Sequence, residues 1–145
     1  MIGAVAKRLS GNRLHLQHGP IDLVIPGAGV YAPFDVTKMD LKDIHRTNAV
    51  NIDGVVNTVF PALDRMLDGA APENGVRGQI AIMSSLAGFR GLPGAPAYSA
   101  SKAAMRSWGE GLRGHLARHG VKVSVICPGC LNDTTRPASA TTGRR

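Results

Sequence analysis

Three short apolar runs, each ending at small or turn-forming residues, constrain most strongly how this 145-residue chain folds. They cover residues 21–25, 79–83 and 121–126, and their length and β-branched content favour buried strands. Longer segments with apolar residues at helical spacing lie between them. Strands that alternate with helices indicate right-handed crossovers and a parallel sheet. We therefore predict an α/β fold: a partial doubly wound parallel sheet with three recognisable strands and crossover helices.

The two helical segments have distinct start and stop signals. Thr37 and Asp40 have capping-box spacing before the first helix. Its apolar face is predicted to consist of Ile52, Val55, Val56, Val59, Leu63 and Met66. The second helix is expected to begin at Pro96, which suits a first turn, and to be capped by Gly120. Four-residue spacing predicts that its core face consists of Ala104, Trp108, Leu112 and Leu116.

The composition fits one globular domain and excludes several classes of protein. Apolar residues make up 43% of the chain and charged residues 19%. No apolar run approaches the roughly 18 residues that span a bilayer, and the N-terminus lacks a secretory apolar segment, so we expect a cytoplasmic protein. The net charge is +7, but the basic residues are scattered and aromatic residues amount to only 4%. We therefore expect no nucleic-acid partner and no membrane partner.

Two alternatives depend on the cysteines. Cys127 and Cys130 have the spacing of a redox pair, and with His115 and His119 they could form a zinc site. The residues after Cys130 show no helical periodicity, so the helix N-terminus that would stabilise a thiolate is missing. Two His residues one helical turn apart are more typical of a solvated helix face. We therefore favour neither alternative and predict no metal site.

A phenol and an ammonium group lie four residues apart in the sequence YSASK at residues 98–102. This spacing puts Tyr98 and Lys102 one turn apart on the same face of the predicted helix. A phenol is a poor acid or base at neutral pH, but an adjacent cation favours its ionised form. Tyr98 is therefore a candidate proton relay.

Two polar residues are candidate partners of this pair. Ser85 follows the second strand, at the sheet edge where open parallel sheets bind ligands, and it could donate a hydrogen bond to a substrate oxygen. Asn51 interrupts the apolar face of the first helix. It could bind a water molecule that links Lys102 to solvent, or it could be an ordinary exposed helical asparagine.

Together these residues resemble the motifs of the short-chain dehydrogenase/reductase family. MSSLAG at 83–88 is similar to the family's serine motif, and PGAPAYSASKAA at 93–104 is similar to its tyrosine–lysine motif. Ser85 precedes Tyr98 by thirteen residues, the interval that is usual in the family. A single Tyr-x-x-x-Lys is a weak signal, whereas this combination is much more specific.

Three further segments extend the resemblance to roughly residues 18–129. NIDG at 51–54 resembles the family's asparagine motif, and ICPG at 126–129 resembles the Pro-Gly after its sixth strand, which accounts for Cys127. Residues 21–30 resemble the fourth strand and its Asn-Asn-Ala-Gly turn.

The resemblance implies a Rossmann-like fold and hydride transfer between a nicotinamide cofactor, NAD or NADP, and a small-molecule carbonyl or secondary alcohol. It implies that Tyr98 is the catalytic acid/base and that Lys102 favours the phenolate and binds the ribose. Ser85 would orient the substrate, and Asn51 would belong to the proton relay. The implied cofactor-binding residues are Ala28, Gly29, Asn51, Tyr98, Lys102, Pro128 and Gly129. It further implies a homo-oligomer that pairs through the two long helices.

The chain departs from the family pattern at both ends. We expect residues 1–129 to form a partial catalytic domain without the N-terminal glycine-rich cofactor motif, and residues 130–145 to be a divergent, disordered tail. Asp133 stands where the family's threonine is expected. GAGVYA at 27–32 has Gly-x-Gly-x-x-Ala spacing, but Pro33 follows, so we interpret it as a degenerate Asn-Asn-Ala-Gly turn.

These departures have a physical consequence. Residues 21–25 would form an apolar sheet edge without its usual neighbour, which favours self-association. Two functions therefore stay open. The chain is an oxidoreductase of this family, or it is a catalytically inactive fragment that acts as an interaction module.

Overall fold

A parallel three-stranded sheet organises the part of the chain that the computed structural model describes, namely residues 21–33, 35, 37, 40–68 and 70–129. Its strands lie in the order β1-β2-β3, and their bounds are Leu23–Val24 (β1), Gly78–Met83 (β2) and Val121–Ile126 (β3). Leu23 lies opposite Gln79, and Gly78 lies opposite Val121. The α/β class and the Rossmann-like parallel sheet are thereby confirmed.

Two helical crossovers connect the strands. The first consists of α1 (Leu41–Asn48), a π-helical turn (Ala49–Asp53) and α2 (Gly54–Leu67). The second consists of α3 (Pro96–Leu116), which begins at the predicted proline and continues as a short 3-10 turn, Ala117–His119. No helix among the described residues is both long and apolar enough to cross a bilayer.

The core lies between the long helices and one face of the sheet. Ile80 and Ile82 of β2 lie beside Val123 of β3 and are buried with it. From the helices, this cluster receives Val55, Val59, Met66, Met105 and Leu116. The opposite face carries Gln79 and Ser124, whose side chains form a hydrogen bond of 3.0 Å.

β1 is shorter and more exposed than predicted. Only Leu23–Val24 form a strand, and the side chains of Leu23 and Ile25 are 51% and 55% exposed. Within the described residues β1 pairs with β2 alone, so its outer edge has no hydrogen-bonded strand there. The prediction of a buried strand over residues 21–25 is therefore wrong, whereas the expected exposed apolar edge is present.

The start of the first crossover also differs from the prediction. Asp40 itself is the N-cap of α1, because its carboxylate accepts a hydrogen bond of 2.8 Å from the amide of Lys42. Thr37 makes no capping box with Asp40. Instead, the hydroxyl and the amide of Thr37 both donate to Asp35, and these bonds lower the pKa of the Asp35 carboxyl.

The core face of α3 agrees with the prediction except at Ala104. Leu116 is buried, and Trp108 and Leu112 pack against the core while partly buried. Ala104 is exposed, and Met105 and Gly109 are buried in addition to the predicted residues. A Cβ atom on Gly109 would lie 2.6 Å from Val125 Cγ2, so the absence of a side chain lets the helix approach the sheet closely. Gly120, with φ +74°, ends the 3-10 turn and not α3 itself.

Candidate active site

The carboxyl ends of the three strands lead into turns that contain most of the predicted site residues. The turn after β2 is joined to the end of β3 by two backbone hydrogen bonds. The amide of Ser84 donates to the carbonyl of Ile126 at 2.8 Å, and the amide of Leu86 donates to the carbonyl of Pro128 at 3.0 Å. Residues 25–33, after β1, form no helix, as the interpretation of GAGVYA as a turn requires.

Asn51 lies in the π-helical turn and joins three parts of the chain. Its side chain is fully buried, at 0% exposure. Oδ1 accepts from the amide of Val30 at 2.8 Å, and Nδ2 donates to the carbonyl of Val30 and to Ser101 Oγ, both at 3.0 Å. Single π turns are frequent at functional sites. Because the side chain is buried and both of its polar atoms are hydrogen-bonded, the alternative of an ordinary exposed asparagine is wrong.

Lys102 places its ammonium group beneath the carboxyl end of β2. The residue is only 6% exposed, and Nζ donates to the carbonyl of Met83 at 3.0 Å. Burial lowers the pKa of Lys102 from its ordinary value of 10.5, because desolvation penalises the charged form. A Cβ atom on Gly29 would lie 3.6 Å from Lys102 Nζ and 3.7 Å from Asn51 Oδ1, so the β1 turn borders both groups.

The backbone around Lys102 is fixed by the turn after β2. Ser84 Oγ donates to the carbonyl of Lys102 at 2.7 Å. A Cβ atom on Gly88 would lie 2.9 Å from Ser84 Oγ and 3.0 Å from that carbonyl, so a side chain there would force the turn away from α3. Gly88 and Ser84 therefore hold the turn that contains Ser85 against the first half of α3.

Tyr98 lies at the start of α3 and is partly exposed. Its ring centroid is 5.7 Å from Lys102 Nζ, which places the cation beside the phenol. The ring also meets that of Tyr31 edge to face, with centroids 5.4 Å apart and an interplanar angle of 67°. The backbone carbonyl of Tyr98 accepts from Ser101 Oγ at 2.7 Å.

Ser85 has a structural role that the sequence did not indicate. Its Oγ accepts from the amide of Ala87 at 3.1 Å and caps the 3-10 turn Leu86–Gly88. A hydroxyl oxygen that accepts in this way keeps its proton for another acceptor. Ser85 can therefore both cap the turn and donate a hydrogen bond into the site.

The structure joins some predicted site residues by contacts and places others only in neighbouring turns. Gly29, Asn51, Tyr98 and Lys102 are linked through the contacts above. Ala28 precedes Gly29 in the same turn. A Cβ atom on Gly129 would lie 3.4 Å from Leu86 Cδ1. Pro128 and Gly129 thereby border the turn after β2.

Sequence reasoning missed residues that complete the site. These are Val30, Tyr31, Ser84, Gly88 and Ser101. A signal existed for Ser84 and Ser101, because each is a polar residue directly beside a candidate catalytic residue and inside an otherwise small or apolar segment. Val30 and Tyr31 gave no such signal, since their roles depend on contacts with distant parts of the chain.

The described residues contain no cluster of three or more His, Cys, Asp or Glu side chains that could hold a metal ion. The rings of His115 and His119 lie 5.9 Å apart, and His119 Nε2 accepts from Arg118 Nε at 3.2 Å. Cys127 is a free, partly buried cysteine, and Cys130 lies outside the described residues.

Comparison with known proteins adds independent information. A family model described as short chain dehydrogenase matches residues 9–144. An uncharacterized oxidoreductase of Myxococcus xanthus is 36% identical over 116 residues, which are 80% of this chain and 44% of that protein. The ketoacyl reductase HetN of a Nostoc species is 34% identical over 116 residues, which are 80% of this chain and 38% of that protein.

Two solved structures are similar to the fold. A gluconate 5-dehydrogenase from Burkholderia cenocepacia, crystallised with NADP and tartrate, has a TM-score of 0.73 and 25% identity and covers 84% of this chain. The apo form of LigD from a Sphingobium species has a TM-score of 0.72 and 32% identity and covers 83% of this chain. The matches cover 46% and 49% of those two chains, so this chain spans less than half the length of both, as it does of the Myxococcus xanthus protein.

Proposed function

Because the chain belongs to the short-chain dehydrogenase/reductase family, we propose that it takes part in hydride transfer between NAD or NADP and a small carbonyl compound or secondary alcohol. One observation carries this proposal. The buried ammonium of Lys102 lies 5.7 Å from the ring centroid of Tyr98, and the phenol remains partly exposed. The phenol is therefore accessible to a substrate oxygen, with which it can exchange a proton, and a cation lies beside it.

The residues present fit a nicotinamide cofactor. An ammonium group has several N–H donors, and the carbonyl of Met83 takes only one from Lys102, so the others can bind ribose hydroxyls. Gly29 has no side chain to cover that ammonium. The residues proposed to hold the cofactor are Ala28, Gly29, Asn51, Tyr98, Lys102, Pro128 and Gly129. The gluconate 5-dehydrogenase of similar fold binds NADP, which supports this choice without deciding between NAD and NADP.

The proposed mechanism assigns each side chain a separate task. The bound cofactor supplies or accepts the hydride. In reduction, the Tyr98 hydroxyl donates its proton to the carbonyl oxygen, and in oxidation the phenolate removes the proton from the alcohol. The Lys102 ammonium binds the ribose, and the Ser85 hydroxyl donates a hydrogen bond to the same substrate oxygen.

The contacts of Asn51 support a positioning role for its side chain. Oδ1 and Nδ2 are already bonded to Val30 and Ser101, which leaves little capacity for a water molecule. We propose that this amide fixes the β1 turn and α3 relative to each other. The membership of Asn51 in a water relay stays a prediction.

Titration with the cofactor tests the proposed function. NADH and NADPH fluorescence should change saturably when the 145-residue chain is added. Lys102→Met should weaken binding by roughly 10-fold or more, because it removes charge-assisted hydrogen bonds to the ribose. Lys122→Met removes an exposed lysine on β3 and should not weaken it. Circular dichroism controls for folding of both variants.

The outcomes separate the two functions left open by the sequence. Saturable binding that is weakened by Lys102→Met but not by Lys122→Met supports the function as an oxidoreductase. Absence of binding at millimolar cofactor would contradict it and would favour the interaction module.

We further propose that two copies pair through α2 and α3. The ring of Phe60 on α2 is 53% exposed and stacks against Trp108 on α3, with centroids 6.4 Å apart. Exposed aromatic side chains of this kind are enriched in interfaces between proteins. The cytoplasmic location expected from the sequence stays a prediction.

A further inference from the structure

Tyr31 is an exposed aromatic residue that contacts the proposed acid/base. Its side chain is 57% exposed, yet its ring meets that of Tyr98 edge to face at 5.4 Å. This distance lies within the range of about 4.5–7 Å in which aromatic pairs attract each other beyond their apolar burial. A freely rotating surface tyrosine would lose this contact in most of its rotamers, so the backbone must present the ring in a suitable direction.

The backbone before Tyr31 is fixed by Asn51. Both the amide and the carbonyl of Val30 are bonded to the buried Asn51 side chain, at 2.8 and 3.0 Å. The residue that directly precedes Tyr31 therefore has both of its backbone groups held by one rigid amide. This fixes the direction in which the chain leaves the β1 turn toward Tyr31.

The same amide is connected to Tyr98. Asn51 Nδ2 donates to Ser101 Oγ at 3.0 Å, and Ser101 Oγ donates to the carbonyl of Tyr98 at 2.7 Å. One buried side chain thus orients the backbone beside both tyrosines, one from the β1 turn and one from α3. Their rings meet where these two segments come together.

We propose that Tyr31 is a positioning residue that holds the Tyr98 ring beside Lys102. The Tyr98 ring contacts the Tyr31 ring and lies near the Lys102 ammonium, whose nitrogen is 5.7 Å from the ring centroid. Packing against Tyr31 restricts rotation of the Tyr98 side chain and keeps its hydroxyl in the orientation that the proton transfer needs. The catalytic part of this inference rests on the proposed function, whereas the contact itself does not.

The sequence makes a direct test possible, because Tyr31 and Tyr98 are the only two tyrosines in the chain. Selective ¹³C labelling of tyrosine therefore gives two sets of ring signals in the NMR spectrum. Tyr31→Leu removes the aromatic ring, and Tyr31→Phe keeps the ring but removes the hydroxyl. In both variants only Tyr98 is observed, and circular dichroism controls for folding.

We expect the Tyr98 ring signals of Tyr31→Phe to stay close to those of the wild type. In Tyr31→Leu they should move, because the ring current of Tyr31 is lost, and nuclear Overhauser contacts from the Tyr98 ring to the Lys102 methylenes should weaken. Unchanged Tyr98 signals in Tyr31→Leu would show that the two tyrosine rings are not in contact. Shifted signals with intact contacts to Lys102 would overturn the positioning role.

Catalysis supplies a second readout. Tyr31→Leu should lower kcat by about 2- to 12-fold, the equivalent of the contact energy of an aromatic pair, with little change in the KM of the cofactor. Tyr31→Phe should restore kcat. A wild-type chain that binds no cofactor would contradict the proposed function, but the NMR result would still decide whether Tyr31 positions Tyr98.

Discussion

Polar residues of this site are buried, and their hydrogen bonds explain how the fold tolerates their burial. Asn51 and Lys102 are buried, and a buried amide or ammonium group without hydrogen bonds would be costly. Asn51 is satisfied by Val30 and Ser101, and Lys102 by the carbonyl of Met83. The charge of Lys102 is compensated only in part by that single carbonyl, which is why burial lowers its pKa.

The lowered pKa of Lys102 predicts how stability depends on pH. Between that lowered value and 10.5, the unfolded chain binds more protons at Lys102 than the folded chain does. The free energy of unfolding contributed by Lys102 therefore rises with pH across this window. Urea denaturation of the wild type and of Lys102→Met measures this contribution. As the pH rises, the free energy of unfolding of the wild type should increase relative to that of Lys102→Met. Parallel pH profiles of the two free energies would contradict the prediction.

At the level of elements, α3 shows how glycine can decide the distance between a helix and a sheet. Gly109 faces Val125 and Ile82, whereas a Cβ atom on Gly111, two residues later in the same helix, would meet no atom within 4 Å. The two glycines have the same intrinsic cost in a helix interior and differ only in their surroundings. They form a matched pair for mutation.

We predict that Gly109→Ala and Gly111→Ala change stability in opposite directions. The Cβ at position 109 would lie 2.6 Å from Val125 Cγ2, and we expect a loss of about 1–3 kcal/mol through overpacking. Gly111→Ala should stabilise the chain by up to about 1 kcal/mol through helix propensity. Chemical denaturation measures both free energies of unfolding. Equal effects of the two substitutions would show that α3 does not pack closely on β3.

Sequence reasoning succeeded where a local pattern determines the structure. The strands Gly78–Met83 and Val121–Ile126 and the start of α3 at Pro96 follow from apolar runs and from a restricted backbone angle. On α3 it identified most of the core face but missed the burial of Lys102 and Gly109, because a hydrophobic pattern marks neither a lysine nor a glycine as buried. The bonds of Asn51 were equally inaccessible, since its partners lie 21 and 50 residues away in sequence.

At the scale of the whole molecule, α2 and α3 pack on the same face of the sheet. Several apolar side chains remain exposed, and two groups of them bear on association. Leu23 and Ile25 lie at the outer edge of β1, and Phe60 lies on α2 beside Trp108. An exposed strand edge and an exposed aromatic helix face both favour association, but they would produce different dimers.

Substitution at each surface distinguishes these dimers. We predict that the wild-type chain self-associates at micromolar concentration and that Phe60→Lys shifts it to monomer, because the proposed pairing uses α2 and α3. Leu23→Lys places a charge at a similarly exposed apolar position on β1 and should leave the assembly intact. Sedimentation velocity gives the species present. A sharp monomer peak for the wild type would contradict the pairing, and dissociation by Leu23→Lys alone would assign it to the strand edge.

The hydrogen bond between the Val30 amide and the Asn51 side chain also provides a way to measure how often the folded site opens. The Val30 amide lies beyond the end of a two-residue edge strand, where fraying normally lets backbone hydrogen exchange rapidly with solvent deuterium. Its hydrogen bond goes to a buried acceptor that is bonded in turn to α3. We therefore expect the amide hydrogen of Val30 to exchange only when the β1 turn, the π-helical turn and α3 separate. Its exchange rate, slow beside those of neighbouring amides, would then measure how often the whole site opens.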